Sequence, residues 1–343
     1  MKIAVDAMGG DHGVVPILEG AVQAVKTLDT DILLVGDQDL LEKELSRLKG
    51  DLGRFSIRHA SQKVDMHESP TQVARKKRDS SIWVATNVVK TGEADAVVSA
   101  GNTGATVVSA FFLLGRIKGV ERPAIAVTLP TLKGTAIMLD VGATVDCTAQ
   151  QLYQFALMGH EYGKYLFEKT HPRVGLLSIG EEDTKGNEVT KETFRLLRES
   201  SINFIGNVEG RDVYSGAADV IVCDGFLGNV ALKISEGLAD AMKKMLMKEV
   251  AQSRLGKLSL VFLAAPLMRL RRKTDYAEFG GAPLLGVNGI CMICHGKSSA
   301  KAIKNAILKA GSLAHAHLID IIQRDIEDSL TPASSKAPTM AIE

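Results

Sequence analysis

Two apolar runs of the chain end in paired glycines that are three residues apart. Residues 94–105, ADAVVSAGNTGA, contain Gly101 and Gly104, and residues 218–229, ADVIVCDGFLGN, repeat the pair at the same offsets. Glycine lets backbone N–H groups approach a ligand closely, and a helix that begins there directs its unpaired N–H groups and positive dipole end at the same place. The pattern predicts a phosphate or carboxylate site. A tight turn that only caps a helix is the alternative interpretation.

Six segments of this polar kind follow predicted strands. They read DAMGGDHG, SAGNTGA, LDVGATVD, IGEEDTKGNE, CDGFLGN and CHGKSS, and they contain His12, Lys185 and His295. Asn102 and Thr103, between the first pair of glycines, add side-chain donors. These are the residue types that hold an anion and move a proton near neutral pH.

The strands and helices that must position these segments alternate along the chain. Continuous apolar strands between amphipathic helices predict a three-layer αβα fold with a mostly parallel sheet. Ligands of such folds bind beyond the carboxyl ends of the strands, so we expect all six segments at one edge of one sheet. PAIAVTLP and GTAIMLDVG form an expected hairpin. We expect one two-lobed catalytic domain over 1–330, a helical excursion at about 229–273 and a disordered tail over 331–343.

Composition excludes several classes of protein. The 343 residues carry a net charge of +1 and 5% aromatic residues, which argues against nucleic acid as a partner. No apolar stretch reaches the ~18 residues of a membrane span. The first residues do not form a signal peptide, and four cysteines make no disulfide framework, so we expect a cytoplasmic protein.

The cysteines suggest neither haem nor catalysis. CMICH, residues 291–295, matches the haem attachment string, but its apolar surroundings favour a buried strand that ends in His-Gly. We expect no metal site. Cys223 is expected to be buried and inert, and nothing near Cys147 in sequence activates it. Because no G-x-S-x-G motif occurs either, the bound anion is itself a candidate nucleophile.

A dinucleotide site is the main competing interpretation. Its fingerprint is G-x-G-x-x-G after the first strand, but Met8 stands where the leading glycine belongs. Asp37 ends the second strand, where a ribose-binding acid sits in such proteins. The match is therefore partial, and no Walker A motif occurs.

Taken in order, several strings resemble the bacterial acyl-ACP:phosphate acyltransferase family of phospholipid synthesis over residues 1–325. They are IAVDAMGGDHG, SAGNTGA, RPAIAVTLP, LDVGATVD, PRVGLLSIGEEDTKGNE, NFIGNVEGRD and VCDGFLGNVALK. The resemblance implies a fold similar to phosphotransacetylases and to isocitrate and isopropylmalate dehydrogenases. It also implies that acyl-ACP and inorganic phosphate give acyl phosphate and free acyl carrier protein, with no cofactor. The product would feed a membrane glycerol-3-phosphate acyltransferase, and we expect a homodimer.

This reaction assigns expected roles to the polar segments. Phosphate is already a nucleophile, so the protein must mainly position it and stabilise the oxyanion. His12 or His295 is the candidate acid and Lys185 supplies charge. The expected phosphate-binding residues are Gly101, Asn102, Thr103, Gly104, Gly228 and Asn229. The expected orienting residues are Asp140, Asp146 and Asp224.

The chain departs from the family pattern at two positions. Leu227 stands where members often carry Thr, and Thr144 stands where they often carry Asn. Both changes alter the available donors, so the resemblance assigns neither position a ligand role.

Residues 258–273, LSLVFLAAPLMRLRRK, differ in kind from the polar segments. An apolar stretch too short to span a bilayer precedes four cations. One interpretation is a reversible membrane contact, and the other is a core or dimer-interface helix with a basic end. The expected membrane contacts are Leu260, Phe262, Arg269, Arg271 and Arg272. Residues 75–78, RKKR, are interpreted as a solvated helix face, with docking of acyl carrier protein as the alternative.

Two other functions stay open. A dehydrogenase of similar fold would bind nicotinamide and a divalent metal. A non-enzymatic scaffold would bind acyl carrier protein and membrane, and its glycine turns would be caps only.

Overall fold

The computed structural model describes residues 1–50, 52–252, 265–269 and 275–330. Strands and helices alternate over most of this length. The strands are β1 Lys2–Asp6, β2 Asp31–Gly36, β3 Phe55–His59, β4 Ala96–Ser99, β5 Ala124–Thr131, β6 Gly134–Leu139, β7 Val174–Leu177, β8 Phe204–Val208, β9 Val220–Val222, β10 Ala282–Leu285 and β11 Ile290–Ile293. The helices are α1 Val15–Val25, α2 Gln38–Leu45, α3 Pro70–Lys76, α4 Ser81–Lys90, α5 Thr103–Leu113, α6 Ala149–Phe167, α7 Glu188–Arg198, α8 Gly225–Gln252, α9 Tyr276–Phe279, α10 Ala300–His315 and α11 Leu318–Leu330.

The eleven strands form a sheet in the order β3-β2-β1-β4-β11-β10-β5-β6-β9-β7-β8. The first five are parallel to one another, and so are the last four. Between them, β10 is antiparallel to β11 and to β5, and β5 is antiparallel to β6. Three antiparallel steps reverse the direction, so the two parallel sets point opposite ways. The expectation that all six polar segments share one edge is therefore wrong.

Apolar layers cover both faces of the sheet. On one face, α1, α6, α7, α10 and α11 pack on strand residues such as Ile3, Val5 and Ile32. On the other face, α4 and α5 pack on alternate positions such as Ala4 and Leu33. Strands buried on both faces are typical of a parallel sheet between helical layers, as the apolar runs predicted.

Several local predictions are confirmed. β5 and β6 form the hairpin, with Thr131 opposite Gly134. The sequence over 70–91 predicts a helix with Ser80 as a candidate break and cap. The structure divides the helix there, with Ser80 at the N-cap position of α4, although its hydroxyl donates to the Lys77 carbonyl rather than capping α4.

The carboxyl-terminal third differs in part from expectation. The sequence of residues 276–296 is strand-like, but residues 276–279 form α9, because Asp275 caps this turn by accepting from the Ala277 N–H. Residues 225–252 and 265–269 are helical. The sequence also predicts a break near Gly256 within the helical excursion; that position and the tail over 331–343 lie outside the described residues.

A buried ion pair holds three elements of the second half together. Asp219 directly precedes β9 and is 5% exposed. It accepts a hydrogen bond from Lys169, which follows α6. It also accepts from the backbone N–H and the guanidinium of Arg173, which precedes β7. Burial alone would raise the pKa of Asp219, but the hydrogen bonds from Arg173 and Lys169 outweigh it and lower the pKa to about 2.

We expect Asp219→Asn to lower the free energy of unfolding by about 1–3 kcal/mol at pH 7, since the donors around it lose a charged acceptor. The folded pKa lies below the ordinary 3.8, so this contribution is full above pH 3.8 and is lost as the pH falls towards 2. Urea unfolding at pH 7, 4 and 3 would show the difference shrinking.

Asp183→Asn is the matched control for this measurement. Asp183 pairs with Arg198 where both side chains are more than half exposed. Such surface pairs contribute about 0–1 kcal/mol. Equal losses for the two variants would contradict the importance of the buried pair.

Candidate functional site

The first set of polar segments gathers at the carboxyl ends of β1, β4 and β11. Asp6 ends β1, is 2% exposed, and accepts from the Ser99 hydroxyl at 2.7 Å. Ser99 in turn accepts from the Gly101 N–H at 3.1 Å. A Cβ on Gly9 would lie 2.6 Å from the Gly101 nitrogen, so the two turns touch through their backbones. Burial raises the pKa of Asp6, and hydrogen bonds from its neighbours oppose that rise.

Asp6 and Ser99 were missed as site residues in the sequence. The signal was present, because IAVD at residues 3–6 and IMLD at residues 137–140 both end an apolar strand in Asp directly before a glycine turn.

Asn102 does not present its amide as a free phosphate donor, which corrects the expectation for this side chain. Its Nδ2 donates to the carbonyls of Asp65, Met66 and Glu68 at 2.9–3.2 Å. Its Oδ1 accepts from the Ala105 N–H and caps α5. Asn102 therefore fastens the 65–68 loop to the helix start.

The anion-binding capacity of this turn lies in its backbone. Thr103 and Gly104 are the first two residues of α5, and N–H groups at these positions have no partner within a helix. Thr103 is an exposed residue. The positive end of the α5 dipole adds to their attraction for an anion.

Both candidate acids lie at this first set. Asp11, beside the exposed His12, donates its N–H to the Gly296 carbonyl at 2.7 Å, which joins the β1 and β11 turns. His295 accepts from the Lys297 N–H through Nδ1, so the proton of its neutral ring resides on Nε2. Burial and the nearby Lys233 ammonium lower the pKa of His295. The charged imidazolium that a general acid needs is therefore disfavoured at His295.

The second set lies at the carboxyl ends of β6 and β9. Asp140, fully buried, accepts from four backbone N–H groups. They belong to Ile125, Gly142, Ala143 and Thr144, at 2.7–3.2 Å. Burial raises the pKa of Asp140, and these four donors oppose that rise. Asp140 thus holds the backbone donors of this turn in place.

The α8 N-terminus packs on this turn. Asp224 caps the helix by accepting from the Leu227 N–H at 2.9 Å, and the Gly225 N–H donates to the Thr144 carbonyl at 2.8 Å. The Gly228 N–H donates to the Asp224 carbonyl, so this amide serves the helix start. The Asn229 side chain lies over Gly142, where an added Cβ would be 3.7 Å from its Cγ.

Lys185 and Asp146 are exposed at the rim of this second set. Within the described part of the chain, the Lys185 ammonium has no ion-pair partner, and Gly180 lies against its aliphatic stem. A cavity of about 510 Å³ joins the turn that follows Lys185 to the α8 start, since Gly186, Asn187, Asp224 and Leu227 all line it. No pattern in the sequence predicts this cavity.

The structure therefore divides the predicted site residues between two sets. The first holds Gly101, Asn102, Thr103, Gly104, His12 and His295, and the second holds Asp140, Asp146, Asp224, Gly228, Asn229 and Lys185. Helix α8 extends from the second set to the first. It begins at Gly225, and the charges of its residues Lys233 and Glu236 affect the pKa of His295 in the first set. Lys233 lies about 12 Å along the axis from the α8 start.

The cysteines have no activated thiol. Burial raises the pKa of Cys147 to about 12 and that of Cys223 well above its usual range. Cys291 and Cys294 are buried at β11, as predicted for a strand that ends in His-Gly.

Of the predicted membrane contacts, the structure describes Arg269, which is exposed at the end of the helical segment 265–269. Leu260, Phe262, Arg271 and Arg272 lie outside the described residues. Within the described ranges, no helix combines the length and apolarity required to cross a bilayer.

Asn102→Asp is expected to destabilise the protein by about 1–3 kcal/mol. The carboxylate still accepts from the Ala105 N–H, but it cannot donate to the carbonyls of residues 65, 66 and 68 and places its own oxygen against them. Amide hydrogen exchange within 65–69 should accelerate. Asn102→Ala should lose about 0.5–2 kcal/mol through the missing cap. Asn87→Asp, on the surface of α4, is the control. Unchanged exchange in the loop would contradict the fastening role of Asn102.

Comparisons with known proteins show the family of this chain. The family model described as fatty acid synthesis protein matches residues 1–320. A phosphate acyltransferase of Pelobacter propionicus is 50% identical over 340 residues, covering 98% of each chain. One from Geobacter sulfurreducens is 52% identical over 307 residues, covering 90% of this chain and 89% of the relative.

Solved structures share the fold at low identity. A phosphotransacetylase from Streptococcus pyogenes has a TM-score of 0.64 at 18% identity, covering 92% of this chain and 94% of its own. The EutD phosphotransacetylase of Staphylococcus aureus has a TM-score of 0.60 at 17% identity with the same coverage. A putative 4-hydroxythreonine-4-phosphate dehydrogenase from Salmonella typhimurium has a TM-score of 0.51 at 12% identity, covering 91% and 99%. The predicted dehydrogenase-like α/β fold is confirmed, and the chain belongs to the fatty acid synthesis protein family, together with these phosphate acyltransferases.

Proposed function

We propose that the protein transfers a long-chain acyl group from acyl carrier protein to inorganic phosphate, for phospholipid synthesis. The observation that carries the proposal is the near-complete coverage by relatives, about half identical, that are named phosphate acyltransferases. A dehydrogenase activity is not favoured by these relatives, and the likeness to a dehydrogenase structure concerns the fold alone.

The reaction needs positioning more than a protein nucleophile. A phosphate oxygen attacks the thioester carbonyl carbon, the C–S bond breaks, and the thiolate leaves with the electron pair and takes up a proton. No activated thiol is required for this, in keeping with the raised pKa values of Cys147 and Cys223. Pre-oriented donors at the developing oxyanion would supply most of the rate enhancement.

The phosphate is proposed to bind at the start of α5. The N–H groups of Thr103 and Gly104 and the helix dipole suit an anion. The exposed ammonium of Lys185 and the amide of Asn229 would supply charge and a donor from the second set. His12, exposed beside the first set, is the proposed acid for the leaving thiolate. Because its ring is neutral, His295 would not serve as the acid and would instead donate a hydrogen bond from Nε2.

A second copy of the chain is the proposed partner of α8. This helix exposes a stripe of large apolar side chains, at positions three or four residues apart, that the described remainder of the chain does not cover. They are Phe226, Val230, Ile234, Leu238, Met242, Met245 and Leu246. Unpartnered apolar faces of this length are typical of helix–helix interfaces, which supports the expected homodimer.

Lys185→Gln is expected to lower kcat/KM for phosphate about 10- to 150-fold, since a hydrogen bond to a charged group is lost. Acyl phosphate formed from palmitoyl-ACP and phosphate would be trapped with hydroxylamine and counted. Lys191→Gln, an exposed lysine on α7, is the matched control. If both variants match the wild type, Lys185 has no part in phosphate use.

The apolar and basic order of residues 258–273 supports a proposed reversible contact with anionic membrane, where the product would meet a membrane glycerol-3-phosphate acyltransferase. Each cation near such a surface contributes about 1 kcal/mol. Leu260→Glu with Phe262→Glu should abolish flotation with anionic liposomes and leave turnover of acyl-ACP unchanged. Loss of the oligomer or of the fold in this double variant would instead assign the segment to an interface or core.

A further inference from the structure

The cavity of about 510 Å³ lies where α7 and α8 begin, at the carboxyl ends of β6, β7 and β9. Its volume falls in the range of about 300–1,000 Å³ that is typical of sites for small organic ligands. The wall residues come from many elements. They are Leu129, Met138, Leu152, Leu176, Leu177, Val213, Tyr214, Cys223, Leu227, Ala231 and Leu232, with the polar residues Ser178, Asn187, Thr190, Asp224 and Ser235.

The walls that come from within the strands are apolar. Met138 of β6, Leu176 of β7 and Leu129 of β5 are each at most 5% exposed. Val213, on the short 3-10 helix Gly210–Tyr214, closes another side and is 4% exposed. A ligand with amides, such as a pantetheine arm, would leave its polar groups unpaired against these walls, at a high cost. A hydrocarbon chain has no such groups.

Part of the polar lining comes from the segments that follow the strands. Ser178 directly follows β7, Asp224 follows β9, and Asn187 caps α7. The buried Ser178 hydroxyl has no hydrogen-bond partner among the described residues. A donor of this kind beside an apolar cavity suits a ligand with one carbonyl oxygen at the end of a chain.

The polar end of the cavity also meets the proposed reaction site. Gly186 and Asn187, which line it, directly follow Lys185. Asp224 and Leu227, which also line it, belong to the turn that leads to Asn229. A chain inside the cavity would therefore leave its carbonyl carbon near Lys185 and Asn229, the residues of the second set that are proposed to take part in phosphate use.

We infer that this cavity binds the acyl chain of the substrate, with the thioester carbonyl near Ser178 and Asp224 and the hydrocarbon between β6, β7 and Val213. The inference rests on the proposed acyl transfer. It assigns the choice of chain length to the side chains that close the cavity, and it leaves the pantetheine arm outside.

Ala231 offers a direct test, because it lines the cavity from the second turn of α8 and is small. Ala231→Phe fills part of the space. Each methylene excluded from an apolar site weakens binding about fourfold. We expect KM for hexadecanoyl-ACP to rise at least ~10-fold relative to KM for dodecanoyl-ACP. Ala239→Phe, exposed on the same helix, is the matched control and should leave both values unchanged.

A second variant and a second readout keep the test decisive. Val213→Phe narrows the cavity from the 3-10 helix Gly210–Tyr214 and replaces Ala231→Phe if that variant fails to fold by circular dichroism. Calorimetric titration with hexadecanoate, without phosphate or acyl carrier protein, measures chain binding independently of turnover. We expect either filling variant to weaken this binding at least ~10-fold.

The outcomes separate the inference from the proposed function. If the wild type forms no acyl phosphate but hexadecanoate binding still depends on Ala231, the proposed function fails and the cavity assignment stands. If the wild type is active and both filling variants change all chain lengths equally, the cavity holds the pantetheine arm and the inference is overturned. The inference is also overturned if neither substitution changes the affinity for hexadecanoate.

Discussion

The Asp140 carboxylate is the interaction on which the second half of the site depends. It is removed from water, and such a charge is tolerated only when its oxygens are fully bonded. Four backbone N–H groups supply those bonds, and three of them belong to consecutive residues of one turn, 142–144. The turn must therefore wrap around the carboxylate, and the wrapped turn forms the surface against which α8 begins.

The first half of the sheet contains a counterpart of this arrangement. Asp6 is the last residue of β1, and Asp140 directly follows β6. Asp6 lies beside the parallel strand β4, and Asp140 lies beside the parallel strand β9. Ser99 at the end of β4 corresponds to Cys223 after β9, and Gly101 corresponds to Gly225. Because β10, β5 and β6 reverse the sheet between them, the two halves present these turns in opposite directions. The long helix α8 begins at the second turn, and its residues Lys233 and Glu236 lie near His295 of the first set.

The sequence predicted those features whose signals are local. Alternating strands and helices, the hairpin of β5 and β6, and the glycine turns follow from patterns within about 20 residues. The reversal of the sheet does not, because β10 and β11 insert from the end of the chain between strands that precede them by more than 150 residues. Asn102 shows the same limit. Its type predicted a donor, but the carbonyls that use it lie 34–37 residues earlier. The cavity draws its walls from distant elements and has no sequence pattern of its own.

The close approach of backbones at Gly9 and Gly101, and at Gly142 and Gly225, has an evolutionary consequence. A Cβ on Gly225 would collide with the Asp140 carboxylate and lie 3.1 Å from the Gly142 Cα, so the glycines and the buried carboxylate together set the spacing of the turns. The side chains of Leu227 and Ala231, which line the cavity, take no part in that spacing. Mutation can therefore exchange them and alter substrate preference while the amides stay in place. The architecture separates the inherited part of the site from the part that remains free to diverge.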